Sequence, residues 1–565
     1  MLIRDLGFMT GPSLRIMRFM SLHRSKSLRL YVTPFRKIAG SALDRSKVKT
    51  TNRLARPAAP RQRVRPWSGL TAGLACAHLV LAGCATPGDP YAVAPAASQL
   101  TQQDRVGECL RLLKALDIRV DAAGRRDAQE VRVPGYPYLR ADRFTERWLP
   151  SNGEPEAIAA GKLDRMAALD AEARRFESSN LSVSGNEADA LARCRSELVA
   201  AARPMASRAA ASARVPDAYV DAQRLVGLYP VTLFPFALGV ASWQQATRDL
   251  FATPFPELLV RGERIRYVPA PTKSEGPVAG WVSPTTATAL RMPALTPERT
   301  WQLLVQHAPV LIVDTVDGND RIGALTWRAS VQGASVAVNT YDPAAYVRVA
   351  WTQFNGAAAL QLVYTFWFPA RPAAHTLDLV AGHLDAVVWR VTLDAAGRPL
   401  VYDSIHACGC FQMFFPTERV RERPAPREGE GPLDESLFVP QVLYSPAADE
   451  RVMVFLGAHD HNIERVGIDT NTPAPGTPYR LLDENVLRAL PVPAAAGGGT
   501  RSIYGPDGLV PGTERAERYL FWPMGVPSAG QMRQWGHHAT AFVGRRHFDD
   551  PHLFDRYFSL APGAD

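Results

Sequence analysis

The chain is short of the features that would name a reaction. It has no Gly-x-Ser-x-Gly elbow, phosphate-binding glycine loop or dinucleotide fingerprint in recognisable form, and no internal repeat. Its six cysteines are Cys76, Cys84, Cys109, Cys194, Cys408 and Cys410. The apolar run Leu70–Gly83 is 14 residues long and broken by Thr71, Gly73 and His78. That is short of the roughly 20 residues a membrane-spanning helix needs. Lysine almost disappears after the first stretch, leaving Lys114, Lys162 and Lys273 in residues 84–565. Acidic residues are scarce at the other end: residues 1–66 hold 16 Lys and Arg against Asp5 and Asp44. The whole chain is +9, residues 1–66 carry +14 and 67–83 carry none, so 84–565 stands at −5. The basic balance that would suggest nucleic acid or an anionic surface therefore belongs to the leader alone.

What the chain does have is an address. Arg61, Arg63 and Arg65 precede the apolar run, which ends in Leu81-Ala82-Gly83-Cys84. A positive start, a short apolar middle and small residues at the cut describe a secretory signal peptide over 64–83. The last four residues resemble the lipobox of bacterial lipoproteins. The resemblance covers only these two dozen residues. It implies cleavage before Cys84, lipidation of that cysteine, and a cell-envelope protein anchored in the outer membrane and facing the periplasm, with Ala85 rather than Asp at the next position. Two or more acyl chains hold a protein firmly where one does not. Its expected partner is the membrane, through Cys84, with no nucleic acid. Residues 1–63 then read as an extension from a start codon placed too far upstream, with Val64 as an alternative start.

The remaining 482 residues are enough for two or three domains. Residues 84–103, with their Ala, Pro, Gly and Ser, read as a flexible tether. Helical spacing of apolar residues marks 104–214 as a helical domain, notably Arg105–Leu116, 156–176 and 186–213. Cys109 and Cys194 lie on two of these helices, and an oxidising compartment permits them to pair; two buried thiols are the plainer alternative. Residues 215–300 form an aromatic, proline-rich connecting region whose centre, Leu228–Phe236, is expected to be packed between domains. Strand patterns follow at Val310–Val313, Val347–Trp351, Leu360–Trp367, Val387–Leu393, Leu400–Tyr402 and Val452–Leu456. Asn355-Gly356 and Asp394–Arg398 connect antiparallel neighbours. The fold reads as α+β, a helical domain followed over 301–565 by a β-rich, mostly antiparallel, sandwich-like domain.

Histidine gives the strongest chemical hint: beyond the leader and signal all ten lie between His307 and His552. Four groups stand out: His383-x-Asp385, His406-x-Cys408-x-Cys410, His459-Asp460-His461, and His537-His538 with His547. Imidazole, thiolate and carboxylate are ligands for zinc and other transition metals. On a strand, His383 with Asp385 and His459 with His461 share a face. His406, Cys408 and Cys410 can meet on one ion only if the chain turns, which Gly409 permits. The Cys-x-Cys pair also fits a strained redox disulfide or inert packing. His383-x-Asp385 with His459 and Arg465 is similar to the facial triad of 2-oxoglutarate oxygenases, although a secreted location removes that cosubstrate. Asp314–Asp320 faintly suggests a calcium loop, but its spacing fails and a surface turn is the better reading. Trp351, Tyr364, Trp367, Phe368 and Trp389 suit core packing better than a binding groove. The expected site is thus His383, Asp385, His406, Cys408, Cys410 and His459, holding zinc or another transition metal. The alternatives are a structural or ligand-binding lipoprotein, or thiol–disulfide chemistry at Cys408/Cys410.

Overall fold

The computed structural model describes residues 88–563, apart from 151–153, 272–288, 294, 331–332, 425–430, 432, 448–449 and 471–474. The leader, the signal segment and Cys84 lie outside these residues. The described residues group as one compact unit.

The helical part is built on α1 (Arg105–Ala122), α2 (Pro155–Asn180) and α3 (Gly185–Ala202). Asp104 caps α1 by accepting from the Gly107 N–H, and Ser184 caps α3 through Glu187 N–H. The α1 stripe Cys109, Leu110, Leu113, Leu116 and Val120 is buried at helical spacing. It packs with Tyr138, Leu163, Met166 and Leu198. Cys109 on α1 is joined to Cys194 on α3, Cα to Cα 5.0 Å. Part of the span read as a tether is tied down. Tyr91 and Ala96 are buried, the Tyr91 hydroxyl donates to Asp117, and the Pro90 carbonyl accepts from Gly135.

A layer of buried charge joins this part to the C-terminal half. Arg488 is paired with Asp127 (2.8 Å), Glu130 (3.0 Å) and Glu172 (2.8 Å). Burial of Arg is tolerated only with such pairing.

The connecting region holds a long helix, α4 (Tyr229–Ala252), with Pro230 in its first turn and Pro235 inside it. Its packing corrects the expectation for Leu228–Phe236. Phe236 is buried, but Leu228, Val231 and Phe234 are exposed. The density of apolar residues was read correctly, but the helix distributes them over both faces and the protein covers only one.

Ten strands form the main sheet. They are β1 (Glu263–Pro269), β2 (Val310–Thr315), β3 (Ala344–Phe354), β4 (Ala357–Arg371) and β5 (Gly382–Leu393). The rest are β6 (Pro399–His406), β7 (Met413–Pro416), β8 (Arg451–Leu456), β9 (Ile463–Asp469) and β10 (Thr477–Asp483). Their spatial order is β7-β6-β5-β4-β3-β10-β1-β2-β8-β9. From β7 to β3 the sheet is an antiparallel meander; β3–β10, β10–β1 and β2–β8 are parallel. Asn355 and Gly356, both left-handed, make the two-residue hairpin between β3 and β4. The fold is α+β, with a large curled mixed sheet of ten strands in the C-terminal region and two-stranded ribbons beside it.

Both faces of the meander are covered, so β4 is buried without a break from Ala358 to Phe368, Gln361 and Thr365 included. Leu362, Tyr364 and Phe366 enter one core with Trp301, Trp243 and Tyr479. Val363 and Trp367 enter a second core beneath the hairpin Ala324–Ser330/Gly333–Asn339. Trp351, Tyr364, Trp367, Phe368 and Trp389 are all buried in these cores.

Candidate functional site

Curling of the sheet builds the site. β5 and β8 are six positions apart in strand order, which in a flat sheet would separate them by about 29 Å at roughly 4.8 Å per strand. Instead Asp385, near the start of β5, lies 2.9 Å from His461 Nδ1 in the β8–β9 connection. Asp385 Oδ1 is also 3.3 Å from Arg515 Nη2 and 3.5 Å from His406 Nδ1, at the end of β6. On the far side of His461, Asp320 Oδ1 stands 3.4 Å from Nε2, an ion-pair contact whose alignment falls short of a hydrogen bond. Asp320 is held by the backbone N–H groups of His459 (2.6 Å) and Val316 (2.8 Å). The His461 ring stacks on Phe368, centroids 3.9 Å apart and planes 11° from parallel. All five polar side chains are buried.

Charge is distributed within this group by burial and by its neighbours. Burial alone would raise the Asp385 carboxyl, but His406, His461 and Arg515 hold it well below its ordinary range. Burial would lower the His461 imidazole, and the carboxylates of Asp320 and Asp385 overcome it and raise the group. His406 goes the other way: burial lowers it, and Asp385 restores only part of the loss. The shifts therefore favour the charged forms of Asp385, Asp320 and His461 and the neutral form of His406.

The backbone is strained here. Leu384, Phe411, His459 and His461 have φ of 52°, 61°, 68° and 50°, four of the nine left-handed non-glycine residues among those described. Such outliers persist only where surroundings over-determine them, and they concentrate at functional sites. They also break the predicted face-sharing. Leu384 separates His383 from Asp385, so the His383 ring instead meets the Val336 carbonyl (2.8 Å). His459 and His461 lie in a tight turn, not a strand, and only the backbone N–H of His459 reaches the cluster.

The β6–β7 connection carries the cysteines. Gly409 (φ 94°) turns the chain, closed by hydrogen bonds from Gly409 N–H to His406 O (2.7 Å) and from His406 N–H to Cys410 O (3.0 Å). A Cβ on Gly409 would lie 2.4 Å from the Ala539 carbonyl oxygen. The two thiols are unpaired; Cys408 is buried and Cys410 half-buried. The neighbouring Cys410 lowers the Cys408 thiol, and the same neighbour together with burial raises Cys410 well above its ordinary range. Arg533 Nε donates to the Cys408 carbonyl (3.1 Å).

Of the six residues expected to share a metal, Asp385 and His406 meet, Cys408 and Cys410 meet, and His383 and His459 stand apart. The chain turns at Gly409 as a shared ion would require. The His406 ring, however, lies edge-on to Phe411 (5.0 Å) with Nδ1 towards Asp385, and Arg515 already supplies a cation there. Among the described residues no group of three His, Cys, Asp or Glu is arranged to hold a metal ion. Arg465, the other residue of the facial-triad resemblance, caps the C-terminus of α4 through the Phe251 and Leu250 carbonyls. His537 meets the Ala128 carbonyl, and His547 pairs with Asp217. The expected site did not include Asp320, His461 or Arg515, although His461 was paired with His459 in the sequence and Asp320 ended the Asp314–Asp320 loop. Asp320 closes the loop read as a surface turn, and only its run of acids hinted at a role.

A cavity of about 110 Å³ lies elsewhere, between the helical part and the sheet, lined in part by Glu130, Arg143, Arg165, Arg348, Trp351 and Trp535. Burial pushes Glu130 up to about 7. The cavity is well under the roughly 300 Å³ of small-ligand pockets. Its cations are already paired, Arg143 with Asp549, Arg165 with Asp142 and Arg348 with Glu484. Compared with known proteins, the chain matches no family model, no curated protein and no solved structure.

Proposed function

We propose that this chain is a lipid-anchored, periplasm-facing protein of the cell envelope whose sheet carries a thiol–disulfide centre at Cys408 and Cys410. The anchor rests on Leu81-Ala82-Gly83-Cys84. The centre rests on one observation: two unpaired thiols flank a glycine turn, near enough to shift one another's acidity, in a chain whose other described cysteines, Cys109 and Cys194, are joined. In a compartment that makes disulfides, adjacent thiols exchange with partner disulfides.

One thiolate of the pair attacks a partner disulfide and releases one partner thiol. The second thiol, as thiolate, then attacks the sulfur of the first and releases the other partner thiol. Two electrons pass to the partner, two protons leave the pair, and the product is the Cys408–Cys410 disulfide. Its short loop favours strain, and strained disulfides have the higher potentials of labile or catalytic pairs. The neighbouring Asp385 cluster positions the turn: His406 is both its first residue and an Asp385 contact.

The test is to equilibrate the exported chain in glutathione buffers and count alkylatable thiols by mass. Two thiols that disappear together, reversibly, and only when both cysteines are present support the centre. Thiols that stay reduced in oxidised glutathione overturn it. Near-stoichiometric metal that is lost in Cys408→Ser/Cys410→Ser would replace it with the metal reading.

A further inference from the structure

In its N-terminal half, Tyr229 to about Ala241, helix α4 is mainly apolar on both faces. Its inner face, with Phe236, Val240 and Trp243, is buried, and Trp243 packs on Phe411 beside the thiol turn (5.6 Å). Its outer face presents Val231 (68% exposed), Phe234 and Leu238 (73%), spaced three and four residues apart. Just ahead of it, Leu225, Val226 and Leu228 at the end of the short helix Asp221–Val226 are exposed as well. Tyr519 and Leu520 are exposed beside Phe521, whose ring meets Phe236 at 5.1 Å. Single exposed leucines are ordinary, but a contiguous patch marks an interaction surface.

The chemistry of the patch indicates its occupant. Residues 225–247 are 23 consecutive positions with no charged side chain. Protein-facing patches carry a polar rim, whereas an interfacial helix needs an apolar face at the depth of the acyl boundary. Tyr519, next to Arg518, adds the amphipathic aromatic found at such boundaries. No described helix is long and apolar enough to cross a membrane, so α4 can lie on a bilayer but not span it. The anchor limits the distance. Only six residues lead from Cys84 to Pro90, whose carbonyl is already bonded to the folded body. At about 3.5 Å per residue the body stays within roughly 20 Å of an acylated Cys84.

We propose that the outer face of α4, with Leu225, Val226 and Leu228, docks on the surface of a lipid bilayer. The inference rests on the lipid-anchor reading and adds the face that the anchored protein turns to the membrane.

The experiment uses the mature chain from residue 84 with Cys84→Ser, exported behind a cleavable signal, and vesicles of phosphatidylethanolamine and phosphatidylglycerol. Cosedimentation should detect partitioning that Val231→Ser/Phe234→Ser/Leu238→Ser reduces at least tenfold with an unchanged circular dichroism spectrum. Equal partitioning of the two proteins, or no binding by either, overturns the docking face. So does a dimer in light scattering that the triple substitution converts to monomer, since a second copy would then cover the patch. The anchor is read separately, from the mass of the N-terminal fragment of the native chain. An acylated fragment with no vesicle binding removes the docking face and keeps the anchor; binding without acylation does the reverse.

Discussion

Replacing Asp385 with alanine should be among the most damaging single changes in this protein. The carboxylate is buried and shared by His461 (2.9 Å), Arg515 (3.3 Å) and His406 (3.5 Å). At an effective dielectric near 20, unit charges 3.3 Å apart attract by about 5 kcal/mol. Arg515 would keep the Val380 and Leu384 carbonyls, and His461 would keep Asp320, so part of that is retained. Removing one partner of a buried pair typically costs about 3–5 kcal/mol, and we expect that range here. Asp385→Asn keeps the volume and an acceptor oxygen, and should lose about half as much. Urea unfolding followed by tryptophan fluorescence reads the difference, with an unchanged slope showing that the same surface unfolds. The pH dependence carries a sign. The depressed Asp385 contributes above its unfolded pKa, near 4, and is lost as pH falls through its folded value. The raised His461 contributes below about 6.5 and is lost as pH rises through its folded value. The gap between native and Asp385→Ala should therefore be widest between about pH 4 and 6.5. If both variants stay within about 1 kcal/mol of the native protein across that window, the charge-balanced cluster is the wrong description.

Two further outcomes follow from the same region. Gly409→Ala forces a side chain into left-handed backbone and to within 2.4 Å of the Ala539 carbonyl; it should cost at least about 2 kcal/mol and slow the paired loss of the thiols in glutathione, and an unperturbed protein would contradict the turn. His538 is buried, and burial first, then Arg533, lowers its pKa to about 3, with the Ala407 backbone restoring only part of the loss. Its folded state resists protonation, so its stabilising share is full above pH 6.5 and is lost as pH falls towards 3, an effect on the order of 4 kcal/mol. His538→Phe should flatten the acid limb of the stability curve relative to the native protein, and superimposable limbs would refute the assignment.

Local periodicity was readable along most of the chain. The six strand segments read from the sequence all fall within observed strands, and the Arg105–Leu116 pattern lies within α1, because two- and four-residue spacings are properties of neighbouring residues. The connection at Asn355-Gly356 was readable for the same reason. The site was not, because it depends on closure of the sheet between strands six positions apart. The alternation rule failed at Leu384 and between His459 and His461, where left-handed residues redirect the side chains. Asp320 and Arg515 lie 65 and 130 residues from Asp385, with no spacing that announces them. The outward half of α4 was misjudged because composition does not say which face of a helix the rest of the chain leaves bare.

The early hydrogen bond from Tyr91 to Asp117 has a mechanical consequence. Asp117 is held by Arg132 (3.1 Å) and Arg174 (2.9 Å), and Arg174 by Asp170 (2.9 Å). A force drawn along the N-terminal segment would meet this buried ionic layer almost at once, before it could peel a helix from the surface. Were the chain moored at Cys84 as we propose, a pull on the anchor would be taken up first by the part of the helical layer where separating charges is hardest.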